Sequence, residues 1–178
     1  MNTPDAEALY RAVLEQIRAA YPADAFSAPD DARDGVAIAG IHSGGAWLAE
    51  RLAHDLGAAQ WGVVNVALHR DDYAKKGLHS QASPTALPFE VEGRRILLVD
   101  DVLHTGRTVR AALNELYDYG RPASVELAVL VDRGGRELPV AARFAGGEAR
   151  QLDPDSTLVL ERADDGRFAL RIEPRDAH

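Results

Sequence analysis

The sequence predicts an α/β fold with a central, mostly parallel sheet flanked by helices. Two observations carry that prediction. First, Val36 to Ile41 is a short β-branched apolar run. Trp47, Leu48, Leu52 and Leu56 follow at helical spacing, and residues 62–69 form another apolar run, giving strand, helix, strand. Second, the order recurs in an apolar strand from Arg95 to Asp100, a helix over 107–119 and a buried strand from Val125 to Val131. A chain of 178 residues suits one domain over 1–178, its core at about 36–145.

The remaining elements follow from local signals. Ala8, Leu9, Ala12, Val13, Gln16, Ile17 and Ala20 share one face of a helix over 5–20, capped by Thr3 or Asp5 and followed by Pro22. Residues 27–35 read as loop, and Gly44-Gly45 breaks the first strand. The helix after it ends near Gly57. Residues 70–88 are polar and irregular with two prolines, and a loop of that length is usually functional or disordered. Phe89 to Val91 is expected to pair with the strand beginning at Arg95, across a turn at Glu92-Gly93. Val109, Leu113, Leu116 and Tyr117 are expected on the inner face of the 107–119 helix, which Gly120 terminates. Short strands are expected near 157–160 and 168–172.

Composition excludes several chemistries. There is no cysteine, so disulfides, thiolate catalysis and Cys-zinc sites are out. The net charge of −8 argues against a uniformly basic nucleic-acid surface, although a local basic patch remains open. Lys75 and Lys76 are the only lysines. The start, Met1-Asn2-Thr3-Pro4-Asp5-Ala6-Glu7, lacks the basic beginning and apolar core of a signal peptide, and no apolar run approaches the ~20 residues needed to span a bilayer. The expectation is a cytoplasmic protein.

The chemistry concentrates at residues 96–108, ILLVDDVLHTGRT. An apolar strand runs into two carboxylates, Asp100 and Asp101, and Thr105-Gly106-Arg107-Thr108 opens a helix. In open α/β sheets ligands sit beyond the carboxyl ends of strands. A helix N-terminus with Gly and hydroxyl residues offers free amides and a favourable dipole to a phosphate. Two carboxylates facing a bare phosphate would repel it, so a phosphorylated sugar between them suits the pattern. Its 5′-phosphate would rest on residues 105–108, and its 2′- and 3′-hydroxyls on Asp100 and Asp101. A response-regulator receiver also carries an acidic pair after a strand, but it needs a later lysine, and none follows Lys76.

Residues 96–108 resemble the motif with which type I phosphoribosyltransferases bind phosphoribosyl pyrophosphate (PRPP). The resemblance extends to Leu68-His69-Arg70-Asp71-Asp72-Tyr73-Ala74-Lys75-Lys76, to Gly120-Arg121-Pro122, and to residues 127–139, LAVLVDRGGRELP. These look like the PyrR family, which joins RNA-dependent control of pyrimidine genes to uracil phosphoribosyltransferase activity. The resemblance implies the type I phosphoribosyltransferase fold, with a small hood from the chain ends and a lid loop over about 70–88.

It also implies a reaction, uracil plus PRPP giving UMP and pyrophosphate, with Mg²⁺ bridging pyrophosphate and ribose hydroxyls. Asp100 and Asp101 would stabilise positive charge at the anomeric carbon and meet PRPP-bound Mg²⁺ directly or through water. Catalysis would come from positioning and electrostatics rather than a covalent nucleophile. Arg70 is the third catalytic candidate, at the base of the lid. His42, Ser43, Gly44 and Gly45 are implied to bind pyrophosphate, with a plain strand-to-helix turn as the alternative. His104, Thr105, Gly106, Arg107 and Thr108 complete the PRPP site. For His104 a packing or ribose-stacking role is preferred to acid–base work. Lys75 and Lys76 are candidates for pyrophosphate or a solvated face. Val131, Asp132 and Arg133 are implied to read uracil through backbone groups, with Asp132 alternatively a turn residue.

Three departures from the family pattern stand out. Ser43-Gly44-Gly45 replaces Thr-Arg-Gly; Gly135 replaces a histidine; and basic residues expected in the first helix and after residue 145 are poorly reproduced. Arg11, Arg18, Arg136, Arg143 and Arg150 are what remains for a basic face that could meet pyrimidine-operon leader RNA. Three readings stay open: an active enzyme and pyrimidine-responsive regulator; a nucleotide-sensing RNA attenuation regulator with weak or no catalysis; and a regulator acting through a protein partner. A homodimer or higher homo-oligomer is expected from the resemblance.

Overall fold

The computed structural model describes residues 2–29, 35–67 and 84–175. Its centre is a five-stranded sheet of β1 (Val36–Ile41), β2 (Gly62–Val64), β3 (Arg95–Leu103), β4 (Ser124–Asp132) and β5 (Phe144–Glu148). The order is β2-β1-β3-β4-β5, and every neighbouring pair is parallel. Parallel strands are covered on both faces, so they read as continuous apolar runs. Ile96, Leu97, Leu98 and Val99 of β3 are accordingly all but inaccessible.

Helix α1 (Ala6–Ala20) starts where Asp5 accepts bonds from the amides of Glu7 (3.0 Å) and Ala8 (3.2 Å), replacing helix bonds that its first turn lacks. Tyr10, Val13, Leu14 and Ile17 recur at three and four residues and are buried. Together with α2 (Gly44–Leu56) and the antiparallel hairpin β6 (Ser156–Arg162)–β7 (Phe168–Pro174), α1 packs against one sheet face. Helix α3 (Arg107–Tyr117) packs on the other. The hairpin is the expected hood. Arg162 ties it to α2 through Glu50 and the Trp47 ring, and the amide of Phe168 donates to Glu7 of α1. No described helix is long and apolar enough to cross a membrane.

Several expectations are corrected. Gly44 and Gly45 open α2 rather than lying in a break before it. The strand expected over 62–69 stops at Val64, because the Asn65 side chain accepts from the Ala67 amide (2.9 Å) and the Asn65 amide turns to Thr85 Oγ1 (2.9 Å). Phe89 to Val91 forms no strand; instead Ala86 bridges Val63, and Phe89 and Val91 cover the α3 side of the core. On α3, Ala111, Ala112 and Glu115 join Val109 and Leu116 in the buried face, while Tyr117 is 56% exposed.

Strand β5, unanticipated, contains Gly146 and Gly147. A Cβ on Gly146 would lie 2.5 Å from the Leu9 carbonyl oxygen and one on Gly147 2.7 Å from Leu9 Cδ2. The glycines that hide this strand from propensity rules are the ones that let α1 lie across it.

Candidate active site

The sheet reverses direction between β1 and β3. From β1 the chain moves outward to β2, and from β3 it moves the other way to β4 and β5, with α2 and α3 on opposite faces. A crevice at that switch point is the expected ligand site of such a sheet. Register sets the levels: Gly40 pairs with Val99, placing the turn after Ile41 beside the acidic pair, and Leu103 pairs with Asp132.

Asp100 is buried at 6% exposure and accepts the Asp101 amide at 2.9 Å; Asp101 accepts the Val102 amide at 2.8 Å. The second Asp101 oxygen lies against the loop after β1: a Cβ on Gly44 would come within 2.4 Å of it. A Cβ on Gly45 would lie 2.4 Å from the Val99 carbonyl oxygen. Gly44 therefore meets the Asp101 carboxylate, and Gly45 the β3 backbone, as bare backbone, while the His42 and Ser43 side chains are exposed. Where the resemblance expects an arginine, the space next to the α-carbon is filled by Asp101. The Ser43 side chain makes no capping bond to α2.

The loop after β3 is held differently. Gly106 is the residue before α3, at φ +94°, a conformation that glycine adopts without strain. Thr105 Oγ1 accepts the Arg107 amide at 3.2 Å, and the Thr105 carbonyl accepts the amides of Glu137 (2.9 Å) and Leu138 (3.1 Å). Arg107 Nε pairs with Glu137 at 2.6 Å on the exposed rim. His104 Nδ1 lies 2.9 Å from the Gly134 carbonyl oxygen. A Cβ on Gly135 would be 2.8 Å from His104 Cε1. His104 and Gly135, the second of which departs from the family pattern, are thus in contact, and the imidazole occupies the space that a side chain at 135 would need.

A cleft of about 570 Å³ runs from Asp100 along residues 102–109 to Glu137. Thr157 and Arg175 of the hood also line it. Sequence reasoning missed both, and no local motif marks them. Their position follows from the hairpin fold-back alone. A second cleft, of about 310 Å³, lies at the opposite end of the sheet near Val36, Phe89 and Arg94.

Of the uracil candidates, Val131 is buried between Val102 and Gly147. The Arg133 amide donates to Leu103 (2.8 Å), and the Asp132 carbonyl accepts the Ala149 amide (2.9 Å), so these two backbone groups are already bonded within the protein. Arg133 Nη2 donates to the Asp153 carbonyl (3.0 Å); burial, then the nearby Arg175 cation, lower its pKa against the pull of Asp153. Asp132 Oδ1 accepts the Gly134 amide (2.9 Å) and Oδ2 binds Arg136 (2.7 Å). Burial alone would raise the Asp132 carboxyl, but the bonds from Arg136 and Gly134 and the charges of Arg136 and Arg150 outweigh it and hold the pKa below the usual aspartate value. Asp132 thus forms the turn that was its alternative reading. Arg70, Lys75 and Lys76 lie outside the described residues.

Residues 6–157 match the family model described as Phosphoribosyl transferase domain. A protein of Ralstonia nicotianae called Bifunctional protein PyrR is 60% identical over 179 residues, spanning 97% of each chain. The chain belongs to the PyrR family of phosphoribosyltransferases. A Nitrosococcus oceani protein of the same name is 50% identical over 148 residues, covering 81% of this chain and 83% of its own. Among solved structures, a mutant hypoxanthine phosphoribosyltransferase from Trypanosoma cruzi, in a ternary substrates complex, superposes with a TM-score of 0.59 at 19% identity. That match covers 87% of this chain and 82% of the other. At that identity the likeness is one of fold, and the fold is the type I phosphoribosyltransferase sheet with its flanking helices.

Proposed function

We propose that this member of the PyrR family transfers the phosphoribosyl group of PRPP to uracil, giving UMP and pyrophosphate, and acts as a pyrimidine-responsive regulator. The observation that carries the reading is the cleft at the carboxyl end of β3, with buried Asp100 at one end and the start of α3 at the other, and with Asp101 beside it against the loop after β1. The 5′-phosphate rests at residues 105–108, where amides at the helix start and the Thr105 and Thr108 hydroxyls suit an anion. Asp100 and Asp101 accept the ribose hydroxyls and stabilise the positive charge that develops at the anomeric carbon. The His42 to Gly45 backbone receives pyrophosphate. Uracil enters beside residues 131–133, roofed by the hood. The whole of residues 1–178 is read as one domain, since α1, α2 and the hairpin share one apolar cluster with the sheet.

Phosphoribosyltransferases use Mg²⁺ with PRPP, and the residues present fit an ion that arrives with substrate. No group of three His, Cys, Asp or Glu forms a ready-made metal site among the described residues. Asp100 and Asp101 are the hard oxygen donors placed to hold it, and most of its ligands would come from the diphosphate and water. The ion would neutralise the departing pyrophosphate; the chain's own task is to orient the ribose between the carboxylates and the phosphate loop.

The arginines bear on RNA. Arg136, Arg143 and Arg150 are each paired with an acidic side chain, and Arg18 donates to the Asp55 carbonyl. This pairing weakens the basic face and favours the enzyme reading over an RNA-only regulator. The test is UMP formation from uracil, PRPP and Mg²⁺, with the Asp100→Asn/Asp101→Asn double variant as control. UMP made by the wild type and lost in the control supports the reading. A wild type that binds UMP but makes none leaves a nucleotide-sensing regulator, whose binding to pyrimidine-leader RNA should then show a salt slope.

A further inference from the structure

Residues 133–140 form no helix or strand, yet they are bonded along their length to the phosphate loop. The Arg133 amide donates to Leu103, the Gly134 carbonyl meets His104, and the Glu137 and Leu138 amides both donate to Thr105. Arg136 stands at the centre of this segment. Its Nη1 donates to the His104 carbonyl (2.9 Å), its Nη2 to Asp132 Oδ2 (2.7 Å) and its Nε to the Val140 carbonyl (2.9 Å). Three nitrogens of the guanidinium thus each bind a different part of the chain: the end of β4, the loop after β3, and the segment's own exit. The side chains of the Arg136–Asp132 pair are only 24% and 14% exposed. Asp132 is in turn fixed by the Gly134 amide.

We propose that Arg136 is a positioning residue for phosphoribosyl transfer, a strut that sets the spacing between the β4 end, where the base enters, and the loop that carries the ribose 5-phosphate. The proposal rests on the nucleotide reading of the cleft given above. A planar fork with donors in three directions can hold three acceptors at fixed angles, whereas a lysine ammonium on a flexible stem cannot. Alignment matters because a misplacement of about 1 Å between reacting groups can cost about 10²-fold in rate. Arg136 does not line the cleft and acts through His104 and Asp132.

The experiment compares a ligand that spans both ends of the cleft with one that reaches a single end. UMP and ribose 5-phosphate are titrated calorimetrically into wild type, Arg136→Gln and Arg136→Lys, and kcat and KM for UMP formation are measured on the same samples. In both variants UMP affinity should fall about tenfold while ribose 5-phosphate affinity changes by less than about threefold, and kcat should fall about 10²-fold with little change in the KM for PRPP. Arg136→Lys keeps the charge and serves if Arg136→Gln fails to fold. Added guanidinium should restore part of the UMP affinity in an Arg136→Ala variant. Parallel loss of both ligands, loss of neither, or full activity in Arg136→Lys overturns the proposal. A wild type that binds UMP without making it from uracil refutes the enzymatic reading but leaves the two-ligand comparison able to decide the role of Arg136.

Discussion

Two loops leave the sheet at the same switch point and are fixed by opposite means. The turn from β1 into α2 is held by close approach: Gly44 lies on the Asp101 carboxylate and Gly45 on the Val99 carbonyl. The turn from β3 into α3 is held by hydrogen bonds from residues 133–140, about thirty positions later in the chain. The first presents backbone at Gly44 and Gly45, with the His42 and Ser43 side chains exposed beside them. The second has side chains and carbonyls wired to the end of β4. A rigid backbone surface suits a departing anion that must be received and released. A wired loop suits the part of a substrate that must keep its register with an acceptor.

The largest effect is expected for Asp100→Asn/Asp101→Asn, which should lower kcat for UMP formation by roughly 10³-fold or more, because charge stabilisation at the reacting carbon is lost. Gly45→Ala comes next: its Cβ would meet backbone, so it should destabilise the fold by about 1–3 kcal/mol, read as a lower urea midpoint. Gly44→Ala meets the end of a side chain instead, and should displace the Asp101 carboxylate, lowering kcat about tenfold with a melting temperature close to wild type. A Gly44→Ala protein with full activity would disprove the contact between the loop and the acidic pair.

A pH series sharpens the contrast. The Asp132 carboxyl has a lowered pKa in the folded protein, so its stabilising contribution is present above the ordinary aspartate value of about 3.9 and is lost as pH falls through the lower folded value. The stability gap between wild type and Asp132→Asn in urea titrations should therefore hold at neutral pH and shrink below about pH 4, whereas the Gly45→Ala gap, which is steric, should not follow that titration. The smallest effect belongs to Tyr117→Ala, at an exposed site on α3, expected within about 0.5 kcal/mol of wild type.

Much of this was legible in the sequence, and the reasons for the rest are physical. Strand β1 and the carboxylates within β3 stood out because parallel strands concentrate apolar residues and residues 100–108 are contiguous in the sequence. Strand β5 did not, since Gly146 and Gly147 serve the passage of α1 and carry no strand propensity. Tyr117 is exposed because the buried stripe of α3 runs through Val109, Ala111, Ala112, Glu115 and Leu116, which puts residue 117 on the opposite side of the helix, and two of those positions are alanines that mark the stripe weakly. The 127–139 segment was marked by resemblance, but the role of Arg136 was hidden: its bond to His104 spans 32 residues, beyond any local periodicity. Thr157 and Arg175 reach the cleft only because the hairpin folds back over it.

The seating of α1 carries a consequence for how the molecule is made. Gln16 donates to the Ala145 carbonyl across 129 residues, and Glu7 accepts the Phe168 amide across 161. Helix α1 therefore leaves the ribosome well before the segments that hold it in place are translated. Such distant contacts slow folding, because the intervening chain must be closed before they are gained. Until then the buried face of α1, with Tyr10, Val13 and Ile17, is without its final cover, and apolar surface exposed in that way favours association between incomplete chains.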